Sequence, residues 1–138
     1  MRVSTLRIRM SAADAHYTEN LVNGSRMLDL FGDIATELAI LSDGDGGLFR
    51  TYEHVDFLAP VYAGDFIEAR GWYSKVGTTS RTIEFEAWKV ITLDRSCPGE
   101  AGELLAEPVL VCRATGIIVV PTRCHRKVFV PLADMLNP

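Results

Sequence analysis

The sequence predicts an α+β domain in which one long helix lies on a single antiparallel sheet. Three observations predict it. A lone run of helical period follows residue 24, four later runs are rich in β-branched and aromatic residues, and turn-forming segments separate them.

The first element is a strand. Val3, Leu6, Ile8 and Met10 are apolar, and Arg7 and Arg9 between them turn one face or an edge to solvent. Ser11-Ala12-Ala13-Asp14 ends it, and His16-Tyr17-Thr18-Glu19-Asn20 is polar without period. Asn23-Gly24-Ser25 then offers cap-type residues, with Asn23 the expected N-cap. Met27, Phe31, Ile34, Leu38 and Leu41 recur at steps of four and three, one apolar stripe on a helix of about five turns. Asp43-Gly44-Asp45-Gly46-Gly47 stops that helix.

Residues 48–58, 66–76, 79–93 and 109–120 read as four strands, with Ile83, Phe85 and Ala87 alternating against Glu84 and Glu86. The segment 59–65 breaks the first pair, Gly77-Thr78 signals a hairpin, and 96–102 is a longer loop. The tail after Pro121 is basic and then apolar, without a period. A lone sheet of this kind leaves an edge and a face to cover, and pairing with a second copy about a two-fold axis is the expected solution.

The chain has 138 residues, which fits one domain over 1–138. A folded chain of this size exposes roughly 7,000 Å² against about 22,000 Å² when extended, so a core forms without disulfides. Eighteen acidic and 14 basic side chains give a net charge of −4, which disfavours binding driven by phosphate neutralisation along nucleic acid. No membrane span or apolar signal core is read, and the expected location is the cytoplasm. Cys97, Cys112 and Cys124 fit neither a disulfide framework nor metal-ligand knuckles, and Cys112, in an apolar run, reads as core. With no histidine pair at ligand spacing, no metal is inferred.

Some residues stand out chemically. Asp33 and Glu37 are four apart, on one helix face about a quarter-turn from the stripe. Exposed, they are a solvated face; desolvated, they split into an acid and a base. Gly32 costs helix stability and marks a place of close approach. His16 precedes the helix and either faces a site there or is held by backbone. Asn20, Asn23, Gly24 and Ser25 either cap the helix or present amides and free N–H groups to a carbonyl or anion. His54 and His125 read as structural. Arg123, His125, Arg126 and Lys127 are a solvated tail or a contact for a phosphate-bearing ligand. Phe31, Phe57 and Trp72 are core, or limit a small pocket.

The order strand, helix, four strands, together with Phe57-Leu58-Ala59-Pro60-Val61-Tyr62-Ala63-Gly64-Asp65, resembles the hotdog fold of acyl-CoA enzymes, a signature shared by thioesterases and dehydratases. Ser11-Ala12-Ala13-Asp14-Ala15-His16-Tyr17-Thr18-Glu19-Asn20-Leu21-Val22-Asn23-Gly24-Ser25-Arg26, with Gly32-Asp33-Ile34-Ala35-Thr36-Glu37-Leu38, is more specific. It resembles the 3-aminobutyryl-CoA and β-alanyl-CoA ammonia lyase family. Phe85-Glu86-Ala87-Trp88-Lys89-Val90 and Cys112-Arg113-Ala114-Thr115-Gly116 extend the resemblance over roughly residues 10 to 120.

The resemblance implies a carbon-nitrogen lyase: reversible loss of ammonia from a short-chain 3-aminoacyl-CoA, such as 3-aminobutyryl-CoA to crotonyl-CoA, in amino-acid breakdown such as lysine fermentation. Coenzyme A enters only as part of the substrate, and no bound cofactor is implied. Such chemistry needs a base at Cα, donors for the enolate oxygen and a site for the nitrogen. Glu37 or Asp33 is the expected base, N–H groups near Asn23 and Gly24 the donors, and His16 or the second carboxylate the nitrogen partner. In hotdog dimers the site lies between protomers, so a homodimer or higher homo-oligomer is expected. The rivals are a hotdog acyl-CoA thioesterase and a non-catalytic acyl-CoA binding module.

Overall fold

The structure is a computed structural model that describes residues 1–136. Five strands form one antiparallel sheet: β1 (Ser4–Arg9), β2 (Leu48–Phe57), β3 (Phe66–Val76), β4 (Ser80–Leu93) and β5 (Gly102–Val119), in the order β1-β3-β4-β5-β2. The helix α1 (Ser25–Asp43) packs on one face. Strands β1 and β2 are the two edges.

The apolar stripe explains the packing. Met27, Leu30, Phe31, Ile34 and Leu38 are fully buried, and they meet Ile67, Ala69, Ile83, Phe85, Ala87 and Ala114 on the inner face of the sheet. Phe31 stacks on Phe85 with ring centroids 4.9 Å apart. The centre of the sheet is kept small so that the helix can approach: a side chain at Gly71 would place its Cβ 2.6 Å from Ile34 Cγ2. At the far end Gly44 takes φ +72° and closes the helix, its N–H donating to Ile40 O, a conformation glycine adopts without strain. The total exposed surface, 7680 Å², matches the area expected of a compact chain this long.

A buried ionic network fixes that same end. Arg81 and Asp43 are buried; Arg81 donates to Asp43 Oδ1 at 2.9 Å and to the carbonyls of Gly77 and Ser80, and Ser42 links Asp43 to the Tyr73 hydroxyl. Every lone pair and proton so engaged offsets part of the cost of burying two charges.

Two expectations need correction, and the tail gains an element. Asn23 does not cap the helix through its side chain: its amide donates to Ser25 Oγ, while Gly24 already has helical φ/ψ of −59° and −31°. Strand β5 starts at Gly102, not 109, because Leu104 pairs with Ile91 before the register slips around Pro108, which has no N–H to give. The tail is ordered by helix α2 (Leu132–Leu136), whose Met135 is fully buried. A single turn of helix carries too few residues to show a period.

Candidate active site

The segment before α1 is wrapped against the loop after β2. Val22 N–H donates to Val61 O at 2.8 Å and Leu21 bridges Tyr62, while Glu19 and Asn20 take φ of 59° and 62° to turn the chain back. The wrapping leaves a cavity of about 570 Å³ at the helix N-terminus, walled by Val22, Asn23, Gly24, Met27, Phe57 and Val61 among others. Its lining is mostly apolar. In the first turn Arg26 N–H goes to Asn23 O and Met27 N–H to Gly24 O, whereas the N–H groups of Gly24 and Ser25 have no backbone acceptor among the described residues. Unpaired N–H groups at a helix start carry partial positive charge and hold a developing oxyanion or a polarised carbonyl.

A second opening lies two turns along the helix. Leu28, Asp29, Gly32 and Asp33 face Phe49 and Tyr52 of β2 across a cleft of about 580 Å³. Gly32 forms its floor: a Cβ there would meet no atom within 4 Å. The glycine therefore leaves open room beside two carboxylates instead of admitting a neighbouring element of the same chain.

Between these openings is a polar depression shared by His16, Asn23, Ser25, Arg26 and Asp29. Arg26 is its anchor. It donates to Asp14 Oδ1 at 2.8 Å, and Asp14 also accepts from Ser11 N–H at 2.8 Å, which ties the wrapped segment to the helix. Burial alone pushes the Asp14 carboxyl up, but the Ser11 N–H and the Arg26 guanidinium outweigh it, and the net pKa lies below the ordinary 3.8.

The expected residues thus divide. Asn23 and Gly24 line the N-terminal cavity, Gly32 and Asp33 the cleft, and His16, exposed, shares its depression with Asn23. Glu37 is exposed on the same helix face but lines neither opening. Asn20 lies in a separate groove with Arg9 and Arg95, where its carbonyl accepts from Ala63 N–H. Phe31, Phe57 and Trp72 do not share a pocket: Phe31 is core, Phe57 covers the N-terminal cavity, and Trp72 lies beside Glu84 and Glu86 on the other face of the sheet.

The basic tail packs at the opposite end of α1, where Arg126 N–H donates to Asp43 O. That is about 28 Å along the helix axis from Gly24. His54 pairs with Asp56 and His125 with Val120 O, each at 2.7 Å. Burial, with Asp56 adding, pushes the Cys112 thiol up to about 11, as befits a core residue. Among the described residues no group of three or more His, Cys, Asp or Glu gathers to hold a metal ion, and no helix is long and apolar enough to cross a membrane.

Sequence reasoning passed over Asp29 and Tyr52. The signal for Asp29 was present, since 29, 33 and 37 form one i, i+4 series. Tyr52 had none, because its place opposite Gly32 follows from strand register.

Comparison with known proteins gives the following. The Thioesterase superfamily matches residues 19–92. The chain is 54% identical over 124 residues, 90% of this chain and 98% of the relative, to the 3-aminobutyryl-CoA ammonia lyase of Acetoanaerobium sticklandii. Among solved structures, β-alanyl-CoA:ammonia lyase from Clostridium propionicum superimposes with a TM-score of 0.91 at 41% identity, covering 99% of this chain and 98% of that one. A hexameric broad-specificity acyl-coenzyme A thioesterase superimposes with a TM-score of 0.72 at 19% identity, covering 94% and 89%, and shares the fold.

Proposed function

The chain belongs to the Thioesterase superfamily and, within its hotdog fold, to the 3-aminoacyl-CoA ammonia lyases, and from that premise we propose that it is a carbon-nitrogen lyase acting on a short-chain 3-aminoacyl-CoA. The reaction is the reversible elimination of ammonia from 3-aminobutyryl-CoA to give crotonyl-CoA, with coenzyme A entering as part of the substrate. The observation that carries this reading is that one helix bears both N–H groups without a backbone acceptor among the described residues, at its start by Gly24, and a carboxylate-lined cleft, at Gly32, in a chain 54% identical to an ammonia lyase.

The residues take these roles. Asp33, which opens into the cleft, removes the α-proton, and Glu37, one turn further, is the alternative base. As the α C–H bond breaks, its electron pair delocalises onto the thioester oxygen, and the N–H groups near Asn23 and Gly24, those of Gly24 and Ser25, stabilise that charge. The pair then forms the C=C bond as the C–N bond breaks and ammonia leaves. His16 exchanges a proton with the departing ammonia, a role supported by the depression it shares with Asn23 and Asp29. Asn20 acts through its backbone by holding the loop at Ala63.

Gly24 and Asp33 are nine residues apart, about 13 Å along one helix. A thioester carbonyl and its α-carbon are bonded neighbours, so one chain does not bring both groups to one substrate. A second copy supplies one of them, and the enzyme works as a homodimer or a higher homo-oligomer, in the cytoplasm.

The test is to incubate the protein with crotonyl-CoA and ammonium at mildly alkaline pH, following enoyl absorbance and free thiol together. Ammonium-dependent loss of absorbance without thiol is expected. Thiol release would move the assignment to a thioesterase, and binding of the thioester without either change to an acyl-CoA binding module.

A further inference from the structure

We propose that the cleft around Gly32 seats the amino group of the substrate, held by the carboxylate of Asp29 and the hydroxyl of Tyr52. The inference rests on the lyase reading above and names the two residues that read the nitrogen.

The cleft is suited to a small cation on a short chain. Leu28, Phe49 and the Tyr52 ring give it apolar sides, Gly32 leaves its floor open, and Asp29 and Asp33 stand one helical turn apart along it. Asp29 is not committed elsewhere. Among the described residues its one ion-pair contact is Arg26 Nη1 at 3.9 Å, and Arg26 is already bound to Asp14 at 2.8 Å. Tyr52 is held rigidly, its ring 4.5 Å from Phe49 and 6.2 Å from Phe85 between centroids, while its hydroxyl makes no hydrogen bond among the described residues. Burial above all, with Cys112 and then the charge of Asp29 adding, pushes that phenol up to about 12, so it stays a neutral hydroxyl with lone pairs to offer.

A primary ammonium carries one positive charge and three N–H donors. Asp29 supplies the countercharge and carboxylate oxygens, and Tyr52 supplies a further acceptor from across the cleft. Asp33, one turn on, is then beside the neighbouring carbon, where the proton is removed. A plain acyl-CoA presents neither the charge nor the donors, so the same two residues separate an amino-substituted substrate from an unsubstituted one.

Asp29→Asn and Tyr52→Phe test this. In the addition of ammonium to crotonyl-CoA, each raises KM for ammonium about tenfold, the loss expected for a hydrogen bond to a charged group, and leaves KM for crotonyl-CoA within about twofold. Asp29→Glu recovers part of the loss. Equal rises in both constants, or no change, would overturn the assignment, and circular dichroism of each variant excludes misfolding as the cause. Calorimetry separates this failure from failure of the lyase reading. Wild type binds 3-aminobutyryl-CoA more tightly than butyryl-CoA, turnover or not, and Asp29→Asn removes the preference; a preference that survives in both variants sinks the cleft proposal by itself.

Discussion

The ring of Phe57 lies against the α-carbon of Gly24: a side chain at position 24 would bring its Cβ within 2.6 Å of Phe57 Cε1. Phe57 is 59% exposed and free to swing away, so the contact constrains the cavity more than the fold. Gly24→Ala keeps a backbone φ of −59° that suits alanine, and its stability should be unchanged or raised by up to about 1 kcal/mol. Its kcat/KM should fall about tenfold as the ring shifts. Gly24→Pro fits the same φ but also deletes the N–H, and should lose about a hundredfold more, the cost of one oxyanion donor. Equal activities of the two variants would remove that N–H from the mechanism.

Asp33→Asn should reduce kcat by about a hundredfold or more with native melting behaviour, because an exposed carboxylate contributes little to stability. Glu37→Gln should cost less. If Gly24 and Asp33 of one site come from different protomers, mixing the inactive Asp33→Asn and Gly24→Pro proteins after dissociation should restore about a quarter of wild-type activity, since half the dimers are hybrids with one intact site of two. Mixtures that stay inactive would place both groups in one chain.

The buried Arg81–Asp43 pair is a stability element. Arg81→Ala leaves Asp43, 5% exposed, with an uncompensated charge, and should lower the unfolding free energy by about 3–5 kcal/mol in urea titration. The double variant Arg81→Met, Asp43→Leu should be more stable than Arg81→Ala alone, because it leaves no orphaned charge.

Asp14 makes the protein sensitive to acid. Its folded carboxyl is held below the ordinary value of 3.8, so its pairing with Arg26 and Ser11 adds stability above that value and loses it as pH falls through the lower folded value. Asp14→Asn should therefore be less stable than wild type by a constant margin above about pH 5, and the margin should shrink as pH drops below 3.8. A margin that instead grew on acidification would reverse the assigned direction.

The sequence by itself determined the helix, the bounds of β3, the C-terminal stop at Gly44 and the succession of elements along the chain, because each depends on local period, propensity or turn chemistry over a few residues. It also carried the family, through the motif around Asn23-Gly24 and Gly32-Asp33. The sequence did not reveal which polar residues share a space. Asp33 and Glu37 look equivalent along the chain, yet Asp33 lines the cleft. Tyr52 enters that cleft because antiparallel register brings β2 beside β5 and so beside α1. Phe57 reaches Gly24 because the loop after β2 folds back on the helix start, and the basic tail is carried to the far end of α1 by contacts with Leu41 and Asp43. These are pairings between residues far apart in sequence, set by how whole elements pack, and no local pattern records them.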